Sequence, residues 1–427
     1  MLFIYDFAIF IYKTFIHIAA LFGNEKAQLW VNGRKHIFEN IKTVIENQKP
    51  DISSLQIKTL WMHVASLGEF EQGRPILEQL KKETPQYKIV LTFFSPSGFE
   101  IRKNYPLADH IFYLPIDTAK NARLFLDLIK PDLAIFVKYE FWFHYLNQLH
   151  LRHIPTLLVS AIFRPKQFSK LNFYTPYIIR VLKTFKHIFV QDTPSVNLLQ
   201  KQGLTNISRV GDTRIDRVLA IAHEAKQLPF IEQFVGHSLV FIGGSTWQPD
   251  EEIIVPLLKD PRFKDWKFIF APHDITSKNI DRLEKQLPEP KIKYSEISAN
   301  AESQNLKISK SRILIIDNVG LLSAIYRYGR IAYIGGGFGS GIHNTLEPIA
   351  FGLPVIFGLK YKKFAEAVSL VETGGAFSIA DSVGFQKVML DLSSKENYIT
   401  AAKAAKNYAL FNQGATNQII DFIKKMP

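Results

Sequence analysis

The strongest constraint on this chain is a rhythm that begins near residue 57 and runs almost to its end. Short apolar runs of strand length alternate with longer amphipathic segments. The runs are Ile57–Val64, Lys88–Phe94, His110–Leu114, Leu133–Val137, Thr156–Val159 and His187–Val190. Between them lie helix-patterned pieces such as Glu69–Glu83, Thr118–Lys130 and Phe141–Arg152. This alternation predicts an α/β fold with a parallel sheet covered by helices on both faces. The series restarts after Gly211, with runs at Ser238–Ile242, Phe268–Phe270, Ile313–Ile316, Ile331–Ile334 and Val355–Phe357. Two series predict two Rossmann-like domains facing across a cleft, with ligands outside the carboxyl ends of the strands. A length of 427 residues also exceeds what one core usually organises. The expected divisions are a lead-in over 1–50, a first domain over 51–210, a second over 211–400 and a C-terminal tail over 401–427. The polar stretch Ser295–Lys310 reads as a loop insertion. Lys395–Met426 reads as helical and able to return to the first domain.

The richest local motif follows the run Ile331–Ile334. It is Gly335-Gly336-Gly337-Phe338-Gly339-Ser340-Gly341-Ile342-His343-Asn344-Thr345-Leu346-Glu347-Pro348. Five glycines within seven residues let a backbone approach a ligand and bare its N–H groups. A helix expected over Glu347–Phe351 would add a partial positive charge, favouring an anionic guest. The carboxylate of Glu347 can accept from sugar or ribose hydroxyls. Strand, glycine loop, acidic helix start and strand together suggest a nucleotide-sugar site. The glycines match neither a P-loop nor G-x-G-x-x-G. With no D-x-D, no H-E-x-x-H and no cysteine, no metal site or cofactor is expected, and disulfides and thiolate nucleophiles are excluded. Charge on a leaving phosphate must then be met by Arg, His and helix N-termini.

Three strand ends and the domain junction carry reactive side chains. The first strand runs into Ser66-Leu67-Gly68-Glu69, where Gly68 permits a tight turn and Glu69 is expected as the first helical residue. A carboxylate there sits in a favourable field and suits a proton acceptor. The fourth strand ends in Lys138-Tyr139-Glu140-Phe141-Trp142, a carboxylate flanked by a cation and aromatic faces. Val210-Gly211-Asp212-Thr213-Arg214 lies at the domain junction, where a guanidinium fork is built for phosphate. Ala271-Pro272-His273-Asp274 closes a strand of the second series, and His273 can donate to a phosphate or a base.

Charge is unevenly spread. The net charge is +13, and residues 1–210 hold 26 Lys and Arg against 16 Asp and Glu. A basic first half implies an anionic partner, and without a nucleic-acid motif anionic membrane lipid ranks above nucleic acid. The segment 1–22 is apolar and aromatic, interrupted by Asp6 and Lys13. It approaches spanning length but has no basic start or small-residue cleavage site, and Lys13 near its middle is costly in a spanning helix. An interfacial or partly inserted anchor fits better, followed by the basic stretch Lys26–Lys42.

Taken in order, Ser66-Leu67-Gly68-Glu69, Lys138-Tyr139-Glu140-Phe141-Trp142, Gly243-Gly244-Ser245-Thr246, Ala271-Pro272-His273 and His343-Asn344-Thr345-Leu346-Glu347-Pro348 resemble the motifs of 3-deoxy-D-manno-octulosonic acid (Kdo) transferases. The resemblance covers nearly the whole chain. It implies a two-domain GT-B glycosyltransferase moving Kdo from CMP-Kdo to a lipid A precursor, lipid IVA, without a metal, at the cytoplasmic face of the inner membrane. It implies Glu69 as general base, with Glu140 and Arg214 supporting the transition state. Ser66, Gly68 and Lys138 fall on the acceptor side. Pro272, His273, Asn318, Val319, Gly320, Gly337, Asn344, Thr345, Leu346 and Glu347 fall on the CMP side. Here Arg214 stands where many members have Lys, and Ala271-Pro272-His273 where many have Pro-Arg-His. The alternatives are another GT-B transferase using a UDP-sugar on an envelope lipid, and a non-catalytic membrane-associated binding protein.

Overall fold

The structure is a computed structural model and describes residues 2–47, 57–168, 174–299 and 305–426. The chain divides into two compact units, Met1–Asp216 with Gly414–Pro427, and Arg217–Gln413. Each is built on one seven-stranded, all-parallel sheet.

In the first unit the strands are β1 (Lys58–Val64), β2 (Tyr87–Phe93), β3 (His110–Tyr113), β4 (Leu133–Val137), β5 (Thr156–Ala161), β6 (His187–Val190) and β7 (Ile207–Arg209), in the order β3-β2-β1-β4-β5-β6-β7. The strand order reverses between β1 and β4, which pair with Leu60 opposite Leu133 and His63 opposite Phe136. Side chains alternate across the sheet, so Leu60, Met62 and Val64 enter one apolar cluster and Trp61 the other. Trp61 is fully buried, with the rings of Phe125, Phe136 and Tyr145 within 5.6 Å. The helix Leu67–Glu83 lies close over β1 because Gly73 has no side chain: a Cβ there would meet Met62 Sδ at 2.8 Å. On the same face Ala415, Ile419, Ile420 and Ile423 of the helix Ala415–Lys424 join the core. Its first turn is held by Asp216, whose carboxylate accepts from the amides of Gly414 (2.5 Å) and Thr416 (2.7 Å).

In the second unit the strands are β8 (Val240–Thr246), β9 (Lys267–Pro272), β10 (Lys291–Lys293), β11 (Ile313–Ile315), β12 (Ile331–Ile334), β13 (Val355–Phe357) and β14 (Ala376–Ser378), in the order β10-β11-β9-β8-β12-β13-β14. Here the reversal falls between β8 and β12. Both switch points are the places where open α/β sheets bind ligands.

Several expectations are corrected. The strands β7, β10 and β14 have no counterpart in the apolar runs. Within the expected loop insertion Ser295–Lys310 the described residues are helical, over Tyr294–Ala299 and Asn305–Lys310, and residues 300–304 lie outside the described residues. The helix expected over Glu347–Phe351 is a single turn, Leu346–Ala350. Glu69 is the third helical residue, after Ser66 as N-cap. The tail splits, since the helix Lys395–Asn412 stays with the second unit and only Ala415–Lys424 joins the first.

The lead-in is built into the first unit. Ile37 and Ile41 of the helix Ile37–Glu46 are core residues. Arg34 is half-buried and donates to the carbonyl oxygens of Leu114 (2.9 Å), Phe94 (2.8 Å) and Trp30 (3.2 Å), and its guanidinium lies 4.0 Å from the Trp30 ring centroid. Its burial lowers the guanidinium pKa to about 9. The helix Leu2–Leu21 is, among the described residues, the one helix long and apolar enough to cross a membrane, and none of it is buried.

Candidate functional site

In the first unit Glu69 and Glu140 follow the carboxyl ends of β1 and β4, the neighbouring strands of the switch point. The Ser66 hydroxyl donates to Glu69 Oε2, so that oxygen is engaged within the first turn. Glu69 Oε1 lies 4.0 Å from Lys138 Nζ, and both side chains are partly exposed. Lys138 adopts a left-handed backbone, φ 65°, directly after β4. Such a conformation is costly for a non-glycine residue and recurs at functional sites. Its amide is held by the Val159 carbonyl at 2.9 Å. Gly68 is not a turn requirement. Its backbone is not left-handed, and an added Cβ would meet only Ser66 Oγ at 3.7 Å.

Glu140 is the most enclosed of these carboxylates, with a side chain 13% exposed. Its Oε2 accepts from Trp142 Nε1 at 2.7 Å and lies 3.2 Å from His63 Nε2. His63 is fully buried in β1 and was not legible as a site residue, because it sits inside an apolar run. Arg214 does not present a free fork. Its Nε lies 3.0–3.1 Å from both oxygens of buried Asp212, and Nη2 lies 2.6 Å from Asp212 Oδ2. Asp212 therefore orients the guanidinium, and a phosphate would have to share it.

In the second unit the strand ends gather a second set. Gly335 and Gly337 are fixed by their neighbours. A Cβ on Gly335 would stand 2.1 Å from the Ser245 carbonyl oxygen, and one on Gly337 2.5 Å from the Gly358 nitrogen. The amides of Gly335, Gly336, Gly339 and Gly341 are all engaged, on Gly244 O, Asp250 Oδ2 and, for the last two, Gly336 O. The glycines thus bring backbone against backbone, and these four amides form no anion cradle. The one-turn helix after them adds little field.

What remains is a recess of about 240 Å³ lined by Ser245, Gly320, Leu322, Ser323, Tyr326, Asn344 and Glu347. Three of the expected donor residues are in it: Gly320, Asn344 and Glu347. Asn344 Oδ1 accepts from the Leu346 amide at 3.0 Å and its Nδ2 donates to Glu347 Oε1 at 2.9 Å, which presents the carboxylate. Tyr326 is admitted only because residue 244 is glycine, where a Cβ would stand 2.0 Å from its hydroxyl. Thr345 is buried and its hydroxyl has no hydrogen-bond partner among the described residues, and Leu346 is fully buried. Asn318 and Val319 lie in the exposed turn after β11, with Gly320 at φ 90°.

In the same unit His273, which follows Pro272 at the end of β9, packs against two rings that also touch each other. Its centroid is 4.7 Å from Trp247 and 4.3 Å from His343. Trp247 Nε1 donates to His343 Nε2 at 2.9 Å. Burial and the neighbouring His273 lower His343 to about 4. Trp247 and His343 were missed as site residues, because only the fold brings them to His273.

Several known proteins are similar to this chain. A family described as 3-deoxy-D-manno-octulosonic-acid transferase (kdotransferase) matches residues 35–217. Proteins named 3-deoxy-D-manno-octulosonic acid transferase are similar over most of their length. That of Rickettsia prowazekii is 25% identical over 368 residues, covering 85% of this chain and 78% of its own. That of Aquifex aeolicus is 27% identical over 352 residues, covering 81% and 89%. Among solved structures, a UDP-GlcNAc 2-epimerase from Neisseria meningitidis aligns with a TM-score of 0.58 at 16% identity, over 86% of this chain and all of the other, 100%. Acinetobacter baumannii MurG aligns with a TM-score of 0.56 at 13% identity, over 86% and 100%. These likenesses show the fold of two parallel-sheet units, GT-B.

Proposed function

The chain belongs to the 3-deoxy-D-manno-octulosonic acid (Kdo) transferase family and is a glycosyltransferase, and on that premise we propose that it moves Kdo from CMP-Kdo to a lipid A precursor, lipid IVA, with inversion and with Glu69 as general base. The observation that supports this reading is that Ser66 and Glu69 follow β1 while Lys138 and Glu140 follow its neighbour β4, with Glu69 Oε1 4.0 Å from Lys138 Nζ. An acceptor hydroxyl attacks the anomeric carbon of Kdo. Its proton passes to Glu69, whose Oε1 is the oxygen not engaged by Ser66. The bond from the anomeric carbon to the CMP phosphate breaks with its electron pair on the phosphate. Charge developing on the sugar faces Glu140, Arg214 of the same unit supports the transition state, and His273 serves the donor phosphate in the second unit.

CMP belongs to the second unit in this reading. Asn344 and Glu347 accept from ribose hydroxyls in the recess, Ser245 and Ser323 add polar contacts, and His273 meets the phosphate or the base. The turn Asn318–Gly320 and the segment Thr345–Leu346 shape its walls, and Gly337 supports the loop behind it. The helix Leu2–Leu21 and the basic first unit associate with anionic lipid at the cytoplasmic face of the inner membrane.

Glu69→Gln tests the reading directly. It keeps the size of the side chain and removes the proton acceptor. Transfer from CMP-Kdo to the acceptor, followed by mass analysis, should fall by about 10²–10⁴-fold. CMP affinity should stay close to wild type, because the recess lies in the other unit. Turnover at the wild-type rate would remove Glu69 from the mechanism, and release of UDP from a UDP-sugar would reassign the donor.

A further inference from the structure

A histidine buried among aromatic rings in the middle of a parallel sheet needs a reason. The side chain of His63 is fully enclosed, and both ring nitrogens have partners. Nδ1 lies 2.9 Å from Thr92 Oγ1, which also accepts from Trp61 Nε1 at 2.8 Å. Nε2 faces Glu140 Oε2 at 3.2 Å and Trp142 Nε1 at 3.0 Å. Trp142 is itself fixed, with its ring 4.6 Å from Phe94. The result is an ordered polar chain, Trp61–Thr92–His63–Glu140, running from the core of the sheet to the half-buried carboxylate after β4. An apolar residue would fill the same space without the cost of burying an imidazole.

From this geometry we infer that His63 is a positioning residue for the transfer reaction: it fixes Glu140 Oε2 and holds a proton between its Nε2 and that oxygen. The inference rests on the role proposed for Glu140. Trp61, Thr92, Phe136 and Trp142 surround the ring, so Glu140 is, among the described residues, the ionisable group in contact with it. Near Glu140 itself, Lys138 is two residues upstream and Tyr12 of the first helix is within electrostatic range. With His63 in place Glu140 Oε2 is held from two sides, by Trp142 Nε1 at 2.7 Å and by the His63 ring at 3.2 Å. Without it, Trp142 alone holds Oε2.

The test compares His63→Asn with His63→Gln in the full-length protein. Asn can keep the bond to Thr92 but cannot reach Glu140. Gln can return a donor near the place of Nε2. CMP release from CMP-Kdo with a lipid A precursor is measured across pH, beside thermal unfolding. His63→Asn should lower kcat by about 10–100-fold, since small misplacements of a catalytic group cost that much. KM for CMP-Kdo should hardly change, and the acidic limb of the pH–rate profile should shift. His63→Gln should recover part of the rate. In a Glu140→Gln background the loss from His63→Asn should vanish, because the two act as one unit. Unchanged kcat in His63→Asn overturns the inference. So does an equal loss in both variants with an unaltered pH profile, which marks a packing residue. A fully additive double variant overturns it as well. Wild-type turnover in Glu140→Gln alone locates the failure in the role of Glu140, and absence of CMP-Kdo turnover in the wild type locates it in the proposed reaction.

Discussion

His343 shows how much of a site is set by contacts that no single segment reveals. Trp247 donates into its Nε2, which demands a lone pair there, and burial with His273 at 4.3 Å lowers it to about 4. In the unfolded chain a histidine titrates near 6.5. Between about 6.5 and about 4 the unfolded state therefore binds more protons than the folded one, so stability is lost as pH falls through that window. Urea unfolding of the second unit should show its midpoint declining from pH 7 to pH 4.5, and His343→Gln should flatten that decline. Histidine-ring NMR should place the His343 titration near 4. Identical pH slopes in the two proteins would remove His343 as the cause. At this scale the legible residues were those whose chemistry shows at a strand end, such as Glu69, Glu140 and His273. The glycines of 335–341 were legible as special, but the amides of Gly335, Gly336, Gly339 and Gly341 are spent inside the protein rather than bared to a ligand. Sequence shows that a Cβ is absent, not whether the space faces a ligand or, as at Gly337, the Gly358 backbone.

Elements were read well where both faces of a strand are buried and poorly where they are not. The unread strands β7, β10 and β14 are three residues each and all lie at sheet edges. Edge strands are kept short and polar, which erases the apolar run that marks a central strand. The helix Leu2–Leu21 was legible as an exposed apolar element, yet not as one tied to the body. Tyr5 donates to buried Asp117, a carboxylate that also accepts from the amides of His144 (3.0 Å) and Tyr145 (3.1 Å). Asp6 lies 2.6 Å from His144 Nε2, and the Tyr12 ring sits 5.8 Å from Phe94. Removal of residues 1–22 takes away these contacts, and Tyr5→Phe removes the hydroxyl alone. Because a hydrogen bond to a charged group contributes about 1.5–3 kcal/mol, Tyr5→Phe should destabilise the first unit by roughly that amount. Truncation should destabilise it more. CMP binding, assigned to the second unit, should persist in both. Thermal unfolding and CMP titration measure the two effects. A truncated protein melting like the full chain would show a detachable anchor.

For the whole molecule, charge and apolar surface make a joint statement about membranes. The first helix leaves Phe3, Phe7, Phe10 and Phe15 exposed, at 80%, 56%, 64% and 67%. Such area favours an interfacial position, with apolar side chains entering the acyl boundary. The net charge of +13 resides mainly in the first 210 residues. Within 151–200 seven basic residues face one acidic residue, Asp192. Lys183 and Lys186 stand near the start of β6, at the end of the sheet opposite Glu69 and Glu140. Apolar insertion is insensitive to salt, whereas exposed charges are screened within about 10 Å at 0.1 M salt. The two contributions therefore separate in one experiment. Flotation with anionic vesicles should show the full chain bound at low salt and still partly bound at high salt. The chain lacking 1–22 should bind weakly at low salt and be released at high salt. Neutral vesicles should retain only the salt-resistant part. Equal binding to neutral and anionic vesicles at every salt concentration would leave the basic first half without a membrane role, and its charge would then need another anionic partner.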